Sequence, residues 1–140
     1  DVYKRQRLAH FMGQCSHESG GFRYMEEIAS GAGYEGRADL GNTQTGDGKR
    51  YKGRGPIQLT GRANYRRVGR QIGIDLESRP EMVAYPSIGL LVGCVYWDGR
   101  KLNAKADADD LEGLTRAING GTNGLADRRA QTAKAKGLIL

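Results

Sequence analysis

Gln14-Cys15-Ser16-His17-Glu18-Ser19-Gly20-Gly21-Phe22 is the stretch on which the fold reading turns. It closes a helical pattern with a glutamate and then breaks into two glycines. Just upstream, Leu8, Phe11, Met12 and Cys15 fall at i, i+3, i+4 and i+7, one apolar stripe. That spacing predicts a helix over residues 4–19, which Gly20-Gly21 terminates. Glu18 follows Cys15 by three residues, so it sits near the edge of the stripe, close to a core yet able to open onto a cleft. A carboxylate at the mouth of a helix, followed by bare backbone, is a place where acid–base chemistry can be built.

Working outward, residues 22–29 (Phe-Arg-Tyr-Met-Glu-Glu-Ile-Ala) read as a short amphipathic segment of about two helical turns. Residues 30–50 are rich in glycine with Asn, Thr and Asp, and read as a long loop of the functional or mobile kind. Residues 51–60 are the most strand-like piece, but Gly53, Gly55 and Pro56 deny them a regular central strand. A short hairpin or extended segment passing under the site is expected there. Helices follow over 61–72, with Tyr65, Val68 and Ile72 on one face, and from Ser87 as cap to about residue 97. Residues 75–86 and 98–108 read as connections. Asp107 or Asp109 can cap a helix over 110–118, with Leu111, Leu114 and Ile118 inward, and an alanine-rich basic helix closes the chain over 125–136. The expected fold class is mainly α: one helical domain over residues 1–140, with a small β-hairpin lining a cleft. Residues 1–6, which open without Met, read as a non-native or truncated start.

A chain of 140 residues is long enough for a real core. Its formal net charge of +6 points to polyanionic surroundings such as an acidic wall polymer. Lys and Arg are scattered rather than run together, and no reading helix or aromatic platform appears, so nucleic acid is not the expected partner. No run is long enough to insert stably in a membrane. Cys15 and Cys94 both fall in apolar helical patterns, where a buried free thiol is the commoner state, and a disulfide between them is left open. No Cys/His spacing makes a zinc site, and no metal or cofactor is called for.

Glu18 and Glu27 are the minimal kit for cutting a glycosidic bond: one carboxyl donates a proton to the leaving oxygen, and the other stays ionised to activate water. Spacing alone leaves solvated helix-end glutamates the commoner case, because glutamate is mostly exposed. His17 can tune the site, bind metal or serve as a satisfied structural histidine, the last being commonest. The run Gly53-Arg54-Gly55-Pro56-Ile57-Gln58-Leu59-Thr60 lacks the Lys-Ser/Thr ending of a phosphate loop. It reads better as backbone kept bare for a polymer, with Gln58 and Thr60 offering hydrogen bonds. Asn64, Asn119 and Arg128 extend that polar set, although each alone is commoner as a turn or capping residue.

Taken together, His17-Glu18-Ser19-Gly20-Gly21, the run from Tyr51-Lys52-Gly53 to Thr60-Gly61, and Ile118-Asn119-Gly120-Gly121 resemble glycoside hydrolase family 19, the chitinases and related phage endolysins. The motifs occur in order across roughly residues 8–136. The resemblance implies a lysozyme-like fold and an inverting mechanism on β-1,4 links of an N-acetylglucosamine polymer. Glu18 is then the general acid and Glu27 the general base, with Glu35 as the rival base and Glu26 a weaker one. Thr60 becomes the hydroxyl that positions water. His17, Tyr51, Lys52, Gln58, Asn64, Asn119 and Arg128 become substrate-binding residues. The partner is a polysaccharide, with short loops and positive charge leaning toward peptidoglycan over chitin. A monomer acting on wall or extracellular polymer is expected, by phage lysis or secretion, against the alternative of a non-catalytic wall- or chitin-binding module.

Overall fold

A computed structural model describes residues 2–140; residue 1, where the expectation of a non-native start begins, lies outside them. The chain is mainly helical: α1 (Val2–Glu18), α2 (Asp47–Arg50), α3 (Arg62–Ile72), α4 (Pro86–Gly99), α5 (Asn103–Asp107), α6 (Leu111–Asn119) and α7 (Leu125–Ile139). Single 3₁₀ turns occupy Ala32–Tyr34, Ala38–Leu40 and Pro80–Ala84. It forms two compact units, one of residues 2–21 with 96–140 and one of residues 22–95, and the boundary falls within α4. No described helix is long and apolar enough to cross a membrane.

In the first unit α1 lies against α7. The two run in opposite directions, as the pairs Gly13 with Thr132 and His17 with Asp127 require. A Cβ on Gly13 would lie 2.7 Å from the Thr132 Cα, so glycine is what lets the two backbones approach. Ala9, Phe11, Cys15, Trp97, Leu102, Ala106 and Leu114 form the buried apolar set. Phe11 meets Trp97 edge-on at 5.5 Å, an arrangement the ring quadrupoles favour. The α6 cap is Asp110, whose side chain accepts from the Gly113 N–H, rather than Asp107 or Asp109. Asp107 is bound by Arg7 and Asp109 by Lys136 and His10, which leaves Asp110 for the helix.

The second unit packs Tyr51, Tyr65, Val68, Leu76, Val83 and Val92 into one core. Four expectations fail here. Residues 22–29 are not helical, because Glu27 N donates to Gly53 O and Gly55 N to Met25 O, and these long-range bonds displace the helical ladder. The expected hairpin is reduced to two isolated antiparallel bridges, Glu26 to Arg54 and Arg54 to Leu59. Pro56 cannot donate, and Gln58 stands at φ 55°, so no ladder continues. Ser87 is not a cap, since α4 already begins at Pro86. Cys15 and Cys94 are not joined in a disulfide; Cys15 is buried, while Cys94 is exposed, contrary to the apolar pattern around it.

An arginine–carboxylate group ties α2, α3 and the Glu77 loop together. Arg62 binds buried Asp47 through Nε and Nη2 and reaches Glu77 through Nη1, while Arg66 grips both Glu77 oxygens. Arg66, and with it Arg62, holds the Glu77 carboxyl at about 2, against an ordinary 4.5. A depressed carboxyl stabilises the fold above its unfolded value and loses that contribution as pH falls through its folded value. Urea midpoints should therefore decline as pH drops from 4.5 toward about 2. Glu77→Gln should show a shallower decline and lose about 1–2 kcal/mol at pH 7, discounted for the solvent screening of half-exposed Arg66.

Candidate active site

In the first unit, Glu18 is the last residue of α1, and its backbone is followed by Gly20 and Gly21, both at positive φ. Its Oε1 pairs with Nη2 of Arg128 at 2.7 Å. Arg128 is 1% exposed. Its Nη1 donates to Gln14 Oε1 at 2.7 Å and its Nε to the Asn123 carbonyl at 2.9 Å. Gln14 Nε2 in turn donates to the Thr115 hydroxyl. Expected as a substrate-binding residue, Arg128 instead has its donors engaged inside the protein, where it orients Glu18. The cause is burial: a guanidinium out of water needs partners for its fork of donors.

His17 is likewise engaged. Its Nδ1 pairs with Asp127 Oδ2 at 2.6 Å, and its ring lies against Gly124. A Cβ at Gly124 would overlap that ring, and the residue stands at φ 71°, so the position suits glycine on both counts. Hydrogen bonding to His17 holds the Asp127 carboxyl below its ordinary range. Asn119 ends α6 and is exposed, followed by Gly120 in the left-handed conformation that stops the helix.

In the second unit the three candidate bases separate by their partners. Glu26 is about half exposed and held by cations, Arg54 Nε at 3.1 Å and Lys52 Nζ at 3.7 Å. Glu35 accepts from the backbone N–H groups of Gly46 and Gly48, at 2.8 and 2.9 Å, and so pins the loop before and within α2. Glu27 is half-buried and accepts from two neutral donors: Tyr34 Oη at 3.0 Å onto Oε1, and the Gly53 N–H at 3.0 Å onto Oε2. Gly53 O accepts from Glu27 N at 2.8 Å, which makes the Glu27–Gly53 contact reciprocal. A Cβ on Gly53 would stand 3.2 Å from Glu27 Oε2 and 2.5 Å from Gln58 Oε1. The bare position is therefore required by two side chains.

Gln58, Thr60 and Asn64 form one connected group. Gln58 Nε2 donates to Gly55 O, the Thr60 hydroxyl to Gln58 O, and Asn64 Nδ2 to Thr60 O. Lys52 Nζ donates to the carbonyl of Glu27 and braces that strand of backbone. Tyr51, expected to bind substrate, belongs to the core: it is 1% exposed, and its hydroxyl donates to Glu77 O. Its aromatic bulk is what the Tyr65 ring, 5.3 Å away, packs on. Sequence reasoning missed Tyr34, Gln14 and Asn42. A hydroxyl-bearing ring inside a polar, glycine-rich loop was the one available signal for Tyr34, and none pointed to the other two.

The model of the family described as class I chitinase, glycoside hydrolase 19, matches residues 1–112. A glycosyl hydrolase family 19 domain-containing protein of Haemophilus influenzae is 31% identical over 156 aligned residues, which cover 89% of this chain and 76% of that protein. An endochitinase of Arabidopsis thaliana is 39% identical over 127 residues, covering 86% of this chain and 43% of its own length. The chain thus spans less than half of that plant relative. Chitinase C from Streptomyces griseus matches in structure with a TM-score of 0.77 at 25% identity, over 98% of this chain and 73% of that one.

Removing Arg128 leaves Gln14, the Asn123 carbonyl and Glu18 without their shared donor. Arg128→Met, which keeps most of the volume, should cost about 3–5 kcal/mol in chemical denaturation, the scale for breaking a buried pair from one side.

Proposed function

Because this chain belongs to glycoside hydrolase family 19, the class I chitinases, we propose that it hydrolyses β-1,4 links between N-acetylglucosamine units, with chitin as the polymer, by one inverting displacement. Glu27 takes a proton from water as the water oxygen attacks the anomeric carbon. The bond from that carbon to the glycosidic oxygen breaks, and Glu18 gives its proton to the departing oxygen. Glu27 finishes protonated and Glu18 ionised. Arg128, 2.7 Å from Glu18 Oε1, opposes the negative charge that develops there. Thr60 supplies the hydroxyl that positions the attacking water, and Gln58 and Asn64 supply amide groups that sugar hydroxyls pair with.

The observation that carries the base assignment is the set of partners around the three glutamates. Glu26 is bound by cations and Glu35 caps backbone N–H groups. Glu27 accepts only neutral donors among the described residues, one per oxygen, which leaves lone pairs for a water. Chitin is favoured because the Arabidopsis thaliana relative is an endochitinase. The net charge of +6 favours a second reading, peptidoglycan in an anionic wall. In either case the substrate is a wall or extracellular polymer.

Release of reducing ends from colloidal chitin is the expected result. Clearing of outer-membrane-permeabilised bacteria with no chitin turnover would move the assignment to peptidoglycan. Polymer binding without any reducing ends would leave only a binding module. Glu18→Gln and Glu27→Gln should each lower kcat by about 10²–10⁴-fold, the range for loss of a positioned acid or base. Proton NMR of early products should show the α-anomer first; the β-anomer first would exclude inversion.

A further inference from the structure

We propose that Tyr34 is a positioning residue for the general base, and that buried Asn42 is the strut that holds Tyr34 in place; this rests on the assignment of Glu27 above. The 3₁₀ turn Ala32–Tyr34 delivers the phenol to Glu27 Oε1 at 3.0 Å. Tyr34 does not hold that place alone. Its carbonyl accepts from Asn42 Nδ2 at 2.9 Å, and Asn42 Oδ1 accepts from the Arg62 N–H at 2.9 Å. Asn42 is 1% exposed. Gly61, which precedes α3, provides no side-chain cap, so Asn42 takes one of the free N–H groups of that helix from twenty residues away. The relay runs from a helix end through a buried amide to a turn, and from the turn to the carboxylate.

The geometry suits orientation rather than sugar contact. With Tyr34 on Oε1 and the Gly53 N–H on Oε2, the Glu27 carboxylate is gripped at both oxygens and cannot rotate freely about its last bond. Neither donor carries charge, so the carboxylate is held without being neutralised by a cation, as Glu26 is. A base fixed in plane has less motion to lose when water and substrate arrive. Burial first, and then Glu27, push the Tyr34 phenol above its ordinary value, so it stays a donor throughout the neutral range.

Two measurements on the full chain test this. Steady-state hydrolysis of a chitooligosaccharide by Tyr34→Phe, which removes only the hydroxyl, should show kcat lowered about 10–100-fold with KM within about twofold, the pattern of a lost transition-state interaction. An unchanged kcat, or a raised KM with kcat intact, would overturn the positioning role in favour of none or of direct sugar contact. Separately, the Tyr34 ring carbon should titrate above the ordinary tyrosine value in ¹³Cζ-tyrosine-labelled protein, and Glu27→Gln should move that titration down. A titration unmoved by Glu27→Gln would overturn the contact itself. Should the wild type cleave neither chitin nor peptidoglycan, the assigned function and the catalytic part of this proposal both fall, whereas the titration still decides the Tyr34–Glu27 contact.

Discussion

A buried guanidinium stands in the second unit where a small sheet was expected. Arg54 is 7% exposed and takes part in both isolated bridges. Its Nε binds Glu26, and its Nη1 donates to the Arg50 carbonyl and to the Tyr65 hydroxyl. Tyr65 passes the connection on, donating to Lys52 O at 2.6 Å, and burial pushes its phenol up to about 12. Three backbone segments that share almost no ladder are thereby fixed through side chains. Gly53, beside Arg54, is held where its N–H meets Glu27, so the placement of Glu27, the proposed base, depends on this arginine. The cost of burying a charge is offset only while all of these partners are present.

The first unit uses the same device. Arg128 joins Gln14 on α1, the turn carbonyl of Asn123 and Glu18. In both units a buried arginine fixes the surroundings of a glutamate: Arg128 binds Glu18 directly, while Arg54 binds Glu26 and leaves the adjacent Glu27 to neutral donors. That difference matches the opposite charge changes the two undergo in the proposed reaction. Glu18 gains negative charge as its proton leaves, which a cation stabilises. Glu27 loses negative charge, which a cation would oppose.

The glycine-rich stretch 30–50 is a mechanical part rather than a slack connection. Glu35 caps two of its backbone N–H groups, Asp47 binds Arg62, and Asn42 ties the Tyr34 carbonyl to the start of α3. Gly31 and Gly48 come so close that a Cβ on Gly31 would lie 2.5 Å from the Gly48 carbonyl. The glycines allow close approach, and the polar side chains then lock what the glycines allow.

Much of this was legible in the sequence. The helical spacing of Leu8, Phe11, Met12 and Cys15 marks α1, although Leu8 lies exposed and His10 and Gln14 are buried in that helix; Tyr65 and Val68 mark the buried face of α3, and the Asn119-Gly120 turn ends α6, because helical periodicity and backbone freedom are local properties. The motifs around Glu18, Gly53 and Asn119 were enough to reach the family. Local pattern failed where distant backbone competed: residues 22–29 could form a helix, but Gly53 and Gly55 offered bonds that a helix would forgo. It also misjudged Tyr51 and Arg128, whose residue types suit sugar binding but which fold into the interior. Above all, Glu26, Glu27 and Glu35 are the same chemical group within ten residues of chain. Only tertiary structure distinguishes them, because a carboxylate's role is set by the donors around it, and Arg54, Gly53 and Gly46 come to them from 28, 26 and 11 positions away.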